Sequence, residues 1–297
     1  MDDLRTACAT VAARATHVTI NGGAIAAYAP GVVHPGIARP SSDGTRLEER
    51  AAASLTLNAI NFGSGWFPTL RKRDGLSGYN TIAAAWREQP TPRTQDLEQI
   101  DAPALARILG QDPGHELMGL YAASLRDLGA HVAARHDGSF AVLATSTPSA
   151  VALAKRLGRW RCFADTSRYG ELEIPFLKRA QIAVADLARA GVTHPSDLAR
   201  LTMFADNLVP HVLRLDGLLH FAPGLVARID RGELIEHGSP EEVEIRACAL
   251  HAVELIVAAR AATAPVTAAE VDECLWNRGQ LPGYKAVPRH RSRCTAY

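Results

Sequence analysis

Leu201-Thr-Met-Phe-Ala-Asp-Asn-Leu-Val-Pro-His-Val-Leu213 sets one carboxylate, Asp206, between an aromatic, Phe204, and a helix that opens by burying Leu208, Val209, Val212 and Leu213. An acid with apolar residues on both sides is poorly solvated, so it must find partners or shift its pKa. Two readings stand. Asp206 is the cap of the helix that follows it, or it is a working group that pairs with a cationic ligand or stabilises developing positive charge.

Working outward, the flanking segments are helical in period. Phe176, Leu177, Ala180, Ile182, Val184 and Leu187 make a buried stripe that stops at Gly191, and residues 193–197 restart a helix through Leu198, Leu201 and Phe204. Ser239-Pro-Glu-Glu242 is a capped start with proline and acids in its first turn. It opens the longest helix, to about residue 262. Thr267-Ala-Ala-Glu270 is a capping box for a last helix through Asp272 to Trp276. Toward the N-terminus, a first helix carries Leu4, Ala7, Cys8 and Val11, and residues 17–20 are extended. Residues 29–45 form a Pro- and Gly-rich loop that holds His34. A helix over 46–60 runs into the aromatic turn Asn61-Phe-Gly-Ser-Gly-Trp-Phe-Pro68, and further helices cover 102–109, 115–128 and 148–157. Residues 71–100 read as a variable loop with a short helix at 81–87. Strand signals are few. The expected fold is mainly α, a single compact helical domain over 1–297 with its core at about 171–297.

Composition narrows the function classes. With 297 residues, 47% hydrophobic and 21% charged, the chain is globular. A net charge of +1 from 32 basic and 31 acidic residues argues against a nucleic-acid polymer as partner. Five scattered cysteines without paired spacing argue for free thiols in a reducing compartment. No apolar run approaches the ~20 residues of a membrane span, and the acidic start Met-Asp-Asp does not read as a signal peptide. A cytoplasmic protein with a small-molecule partner is expected.

Asp272 is the second acid in an apolar and aromatic setting. It shares a helix face with Trp276, four residues on. It reads either as a surface acid or as the partner of Asp206, since acid–base and oxocarbenium chemistry commonly use such pairs. Lys178 opens a buried helix and can point inward. The C-terminal run with Arg278, Lys285, Arg289, Arg291 and Arg293 contains no acid. It is a solvated tail or a phosphate clamp. His251 and Glu254 are one turn apart but in the reverse of the di-iron order, so a salt-bridge network centred on Glu244 and Arg246 is the preferred reading over a metal site. Gly63-Ser-Gly65 lacks the strand and lysine of a phosphate loop.

These residues resemble a known family. Asn61-Phe62 with Gly65-Trp-Phe-Pro68, Phe176-Leu-Lys-Arg-Ala-Gln-Ile182 with Asp186-Leu187, and Leu201–Asp206 with Val209-Pro210 follow the order of the queuosine salvage family. Glu242–Arg246 with Val253–Ile256, Asp272 with Leu275-Trp276, and the terminal His290-Arg-Ser-Arg-Cys-Thr-Ala-Tyr297 complete six collinear blocks. The resemblance implies a queuosine 5′-phosphate N-glycosylase/hydrolase with an all-helical fold related to helix–hairpin–helix DNA glycosylases. It implies Phe204 and Asp206 as base-recognition residues, Asp272 as the catalytic aspartate with Asp206 beside it, and a ligand histidine best matched by His34. Lys178, Trp276, Asn277 and Arg291 complete the candidate substrate contacts. No cofactor and no metal are called for. Three departures stand out: the insertion around residues 71–100, Asn277 where the family often has Asp, and Asn207 where it often has an aromatic. Asn277 and the insertion motivate one alternative to the hydrolase, a non-catalytic protein that binds a modified base, and the shared fold motivates another, a DNA-repair glycosylase.

Overall fold

The computed structural model describes residues 1–32 and 45–297. Its described residues hold fifteen α-helices and four short strands in two antiparallel pairs, so the chain is mainly α. Contacts sort it into two compact units that alternate along the sequence. One takes described residues 1–32, 166–178 and 199–293, the other 45–165, 179–198 and 294–297.

The first unit is built on the helix Pro240–Arg260, whose N-terminus is capped by Ser239 as expected. The N-terminal helix Asp2–Arg14 packs along it. Three charged side chains on the long helix, Glu242, Glu244 and Arg246, are fully buried, and each is satisfied differently. Glu244 accepts the backbone N–H groups of Thr16, His17 and Val18 at 3.1, 2.6 and 3.0 Å, and the Tyr169 hydroxyl at 2.8 Å. Val18 begins the strand Val18–Ile20, which pairs with Leu219–Phe221. Glu242 faces Arg246 at 3.6 Å. The Arg246 guanidinium lies 3.9 Å from the centre of the Phe176 ring and donates through Nε to the carbonyl of Ala205 at 3.0 Å. The expected Glu244–Arg246 network is thus two separate devices, because residues two apart on a helix point to different faces.

That last hydrogen bond accounts for a departure from the expected pattern. Residues 193–204 form only a single 3₁₀ turn, Leu198–Arg200, and 201–206 have no regular structure. The peptide groups there go to side chains of two other helices, the Ala205 carbonyl to Arg246 and the Phe204 N–H to Asp272. A helix would need those same groups for its own ladder. Regular structure resumes with helix Leu208–Leu215. The capping box at Thr267 and Glu270 is present, with Thr267 N–H to Glu270 at 2.7 Å and Glu270 N–H to Thr267 at 3.2 Å. It starts helix Ala268–Arg278. At Gly279 this helix closes on Leu208–Leu215 so tightly that a Cβ would sit 2.8 Å from Leu208 Cγ.

The second unit centres on helix Glu116–Arg135, which buries Leu117, Met118, Tyr121, Leu125 and Val132. The aromatic turn plugs this core. Phe62 meets Tyr121 edge-on at 4.9 Å, and the Tyr121 hydroxyl donates to the Phe62 carbonyl at 2.8 Å. Arg179, fully buried, stacks over Phe62 at 4.8 Å and donates to the carbonyls of Ala59 and Cys162. Residues 71–100 are more ordered than their composition suggests. Ser77 caps helix Gly78–Arg87, and Trp86 buries its indole with Nε1 donating to Thr56 at 3.0 Å. Helix Thr94–Gln99 rests on helix Glu116–Arg135 where Gly129 has no side chain; a Cβ there would meet Leu97 at 2.9 Å. Charge and glycine content suggested a loop here, but Ser77, Trp86 and Gly129 give the segment its caps and anchors.

Two outcomes follow for the first unit. Glu242→Ala strands a buried guanidinium, and is expected to cost about 3–5 kcal/mol in denaturant unfolding; a loss under about 1 kcal/mol would remove the pair from this central place. Acid should also destabilise the protein early. Burial holds His290 at about 3 and His211 at about 4, below the usual 6.5. Burial alone would raise Glu242, but Arg246, His237 and the Gly238 N–H hold it at about 2. In all three the unfolded chain binds protons more tightly, so stability is full above about pH 6.5 and falls as pH drops, through the histidines first and Glu242 below about 4.5. A urea midpoint that is flat from pH 7 to pH 4 would contradict this.

Candidate active site

The segment 202–206 passes over the long helix with its peptide groups held from both sides, and so presents Phe204 and Asp206 from a fixed backbone. Asp206 does cap the next helix: its Oδ1 accepts from Leu208 N–H at 2.8 Å and Val209 N–H at 3.1 Å. An anion at a helix N-terminus is favoured by the exposed N–H groups and the helix dipole. The cap also fixes the carboxylate's direction, so capping and a working role coexist. Phe204 and Asp206 both remain partly exposed.

Asp272 lies in the second turn of helix Ala268–Arg278 and is only 5% exposed. Its Oδ2 accepts the Phe204 backbone N–H at 3.0 Å. Burial, and after it the negative charge of Asp206, push the Asp272 carboxyl well above the usual carboxylate range; the Phe204 N–H and Lys178 oppose that, and neighbouring Glu273 adds to it. The surface-acid reading of Asp272 is therefore excluded by its burial. Lys178 is also 5% exposed, and its charge acts on Asp272. It follows Leu177, which adopts φ +53°, a left-handed conformation that costs a non-glycine residue roughly 1 kcal/mol or more. The kink turns the chain from strand Leu172–Pro175 into the helix beginning at Lys178.

Phe204, Asp206, Asp272 and Lys178, which span almost a hundred residues of sequence, thus meet in the first unit. Trp276, one turn beyond Asp272, is half-buried, and Asn277 is exposed on the same helix. Arg291 donates through Nη2 to the Gly232 carbonyl at 3.2 Å, and its charge acts on Arg289. His34 lies outside the described residues. One charged neighbour was not singled out from the sequence: Arg289, on which the charge of Asp206 acts. Its only sequence signal was membership of the acid-free C-terminal run. A shallow cleft lined by Thr69, Arg71, Gln111 and His115 belongs to the second unit and holds none of these groups.

Two buried-to-half-buried acids with one lysine, one of the acids with its affinity for a proton raised by burial, can take a proton from water or face a cationic centre. Among the described residues no helix is long and apolar enough to cross a membrane.

Comparison with known proteins gives the arrangement a family. The model of the family described as queuosine salvage protein matches residues 46–297. The chain is 36% identical over 271 residues to queuosine 5′-phosphate N-glycosylase/hydrolase of Sphaerobacter thermophilus, covering 86% of this chain and 83% of that one. It is 35% identical over 149 residues to the mouse protein of the same name, covering 46% of this chain and 44% of that one. A Nematostella vectensis relative of that name is 30% identical over 199 residues, 59% of this chain and 57% of its own.

The coupling between the acids is open to measurement by carboxyl carbon NMR on aspartate-labelled protein. Asp206→Asn removes a charge that raises Asp272, so the Asp272 titration should move down; Lys178→Met removes one that lowers it, so the titration should move up. Midpoints unmoved in both variants would mean the three groups do not share a site.

Proposed function

The chain belongs to the queuosine salvage protein family, and on that premise we propose that it hydrolyses the N-glycosidic bond of queuosine 5′-phosphate, or of a closely related 7-deazaguanine ribonucleotide, to release the free base. The observation that carries this reading is the buried carboxyl of Asp272, raised in basicity and held against the segment that bears Phe204 and Asp206. Breaking an N-glycosidic bond builds positive charge on the ribose, and a desolvated carboxylate stabilises such charge strongly. Asp272 is assigned to the sugar. The Phe204 ring is assigned to the face of the base and Asp206 to its hydrogen-bond donors or to the secondary ammonium of queuine. Lys178, whose charge acts on Asp272, is assigned to the phosphate at the sugar end. The substrate is a free nucleotide in the cytoplasm rather than a nucleic-acid polymer, consistent with the net charge of +1.

Incubating the pure protein with queuosine 5′-phosphate and following free queuine by mass spectrometry tests the activity; binding without release would leave a base-binding protein. Asp272→Asn should slow single-turnover cleavage by about 10²–10⁴-fold, and a near-normal rate would remove Asp272 from the chemistry. The nucleotide should exceed the dephosphorylated nucleoside in kcat/KM by roughly tenfold or more, the size of one or two charge-assisted hydrogen bonds. Equal values would remove the phosphate contact.

A further inference from the structure

Asp206 has a charged neighbour whose position is set with unusual care. Residues 288–290 are anchored at two carbonyls from the ends of one helix, Leu208–Leu215. Arg214, in its last turn, donates through Nη2 to the Pro288 carbonyl at 3.0 Å, and Asn207, its N-cap residue, donates through Nδ2 to the His290 carbonyl at 3.0 Å. The residue between those anchors is Arg289. The N-cap that holds it directly follows Asp206, whose own carboxylate is tied to the first N–H groups of the same helix. Arg289 is half-buried, and among the described residues its guanidinium makes no hydrogen bond, so its donors are available. Burial pushes it down, Asp206 opposes that and Arg291 adds to it. Asn207 is buried and its side chain is spent on this one contact.

A carboxylate and a guanidinium held at the same helix, each feeling the other's charge, match a particular ligand edge. A guanine-type base presents two N–H donors next to one carbonyl oxygen; the carboxylate accepts from the donors and the guanidinium donates to the oxygen. In a 7-deazaguanine, carbon occupies the ring position that purine hydrolases often protonate, so help for the leaving base must come at another atom. Resting on the hydrolase reading above, we propose that Arg289 donates to the carbonyl oxygen of the base and stabilises the charge the base acquires as it leaves, and that Asn207 is the positioning residue that holds Arg289 there. As the C1′–N9 bond breaks, its electron pair departs with the base and spreads onto that oxygen. Water adds its oxygen to C1′, and the proton it loses passes to Asp272 and then to N9, leaving ribose 5-phosphate and the neutral base. The site then carries an acid and a cation at each end, Asp272 with Lys178 at the sugar and Asp206 with Arg289 at the base.

Single-turnover cleavage of queuosine 5′-phosphate tests this, alongside the affinity for free queuine. Arg289→Ala should slow cleavage about 10²-fold or more while weakening queuine binding less than about tenfold, and millimolar guanidinium chloride should restore at least a tenfold part of the rate. Asn207→Ala should slow cleavage roughly tenfold alone yet add nothing in the Arg289→Ala background, as expected for a residue that acts only through Arg289. If Arg289→Ala does not fold, Arg289→Met keeps the apolar stem and carries the same expectations. A folded Arg289 variant within threefold of wild type, a lost rate that guanidinium does not restore, or additive losses with Asn207→Ala would overturn the assignment. A wild-type protein that releases no queuine would instead overturn the hydrolase reading itself.

Discussion

The five residues 202–206 are held open by the loss of their peptide groups to other parts of the chain. Arg246 takes the Ala205 carbonyl and Asp272 takes the Phe204 N–H. Backbone groups in a buried segment must be paired, and here the partners are charged side chains on two separate helices. Arg246, which reaches the loop, is paired with Glu242 and lies over the Phe176 ring. Burying three such groups is costly unless each is satisfied. The result is a rigid, non-helical platform with Phe204 and Asp206 at its partly open edge.

Asp272 is thereby structural and chemical at once. Its hydrogen bond to Phe204 helps fix the platform, and the same burial that makes that bond strong raises its affinity for a proton. The acid pair then divides by environment: Asp206 sits half-exposed at a helix N-terminus with two N–H donors, and Asp272 is buried with one. Pairs of carboxyls set apart in this manner are how proteins assign acid and base roles to identical side chains.

Much of this was legible in the chain. Periodicity and caps disclosed the helical class, the Ser239 start and the Thr267–Glu270 box, because those signals are local. The inward turn of Lys178 and the pairing of the two acids were readable from apolar neighbours. The platform was not. Phe204 falls in register with Leu198 and Leu201, and only long-range hydrogen bonds to residues 246 and 272 overrule that helical pattern. Residues 71–100 misled in the opposite sense, since their helices depend on a cap at Ser77 and on space at Gly129 rather than on composition. Arg289 stayed hidden among five cations because what distinguishes it is the anchoring of its flanking carbonyls from residues 207 and 214.

Glu244 bears on the order in which the chain assembles. Its carboxylate binds the N–H groups of residues 16–18, more than two hundred positions earlier. Contacts of such separation close late, because loop entropy must be met before they form. The first helix and the N–H groups of residues 16–18 therefore lack these partners until residues 240–260 emerge, while the segments at 45–165 of the other unit already have most of theirs. The cluster that joins Lys178, Asp206 and Asp272 is a late product of folding, and a nascent chain stalled before residue 240 would carry the sequence of Phe204–Asp206 without the platform that gives it a use.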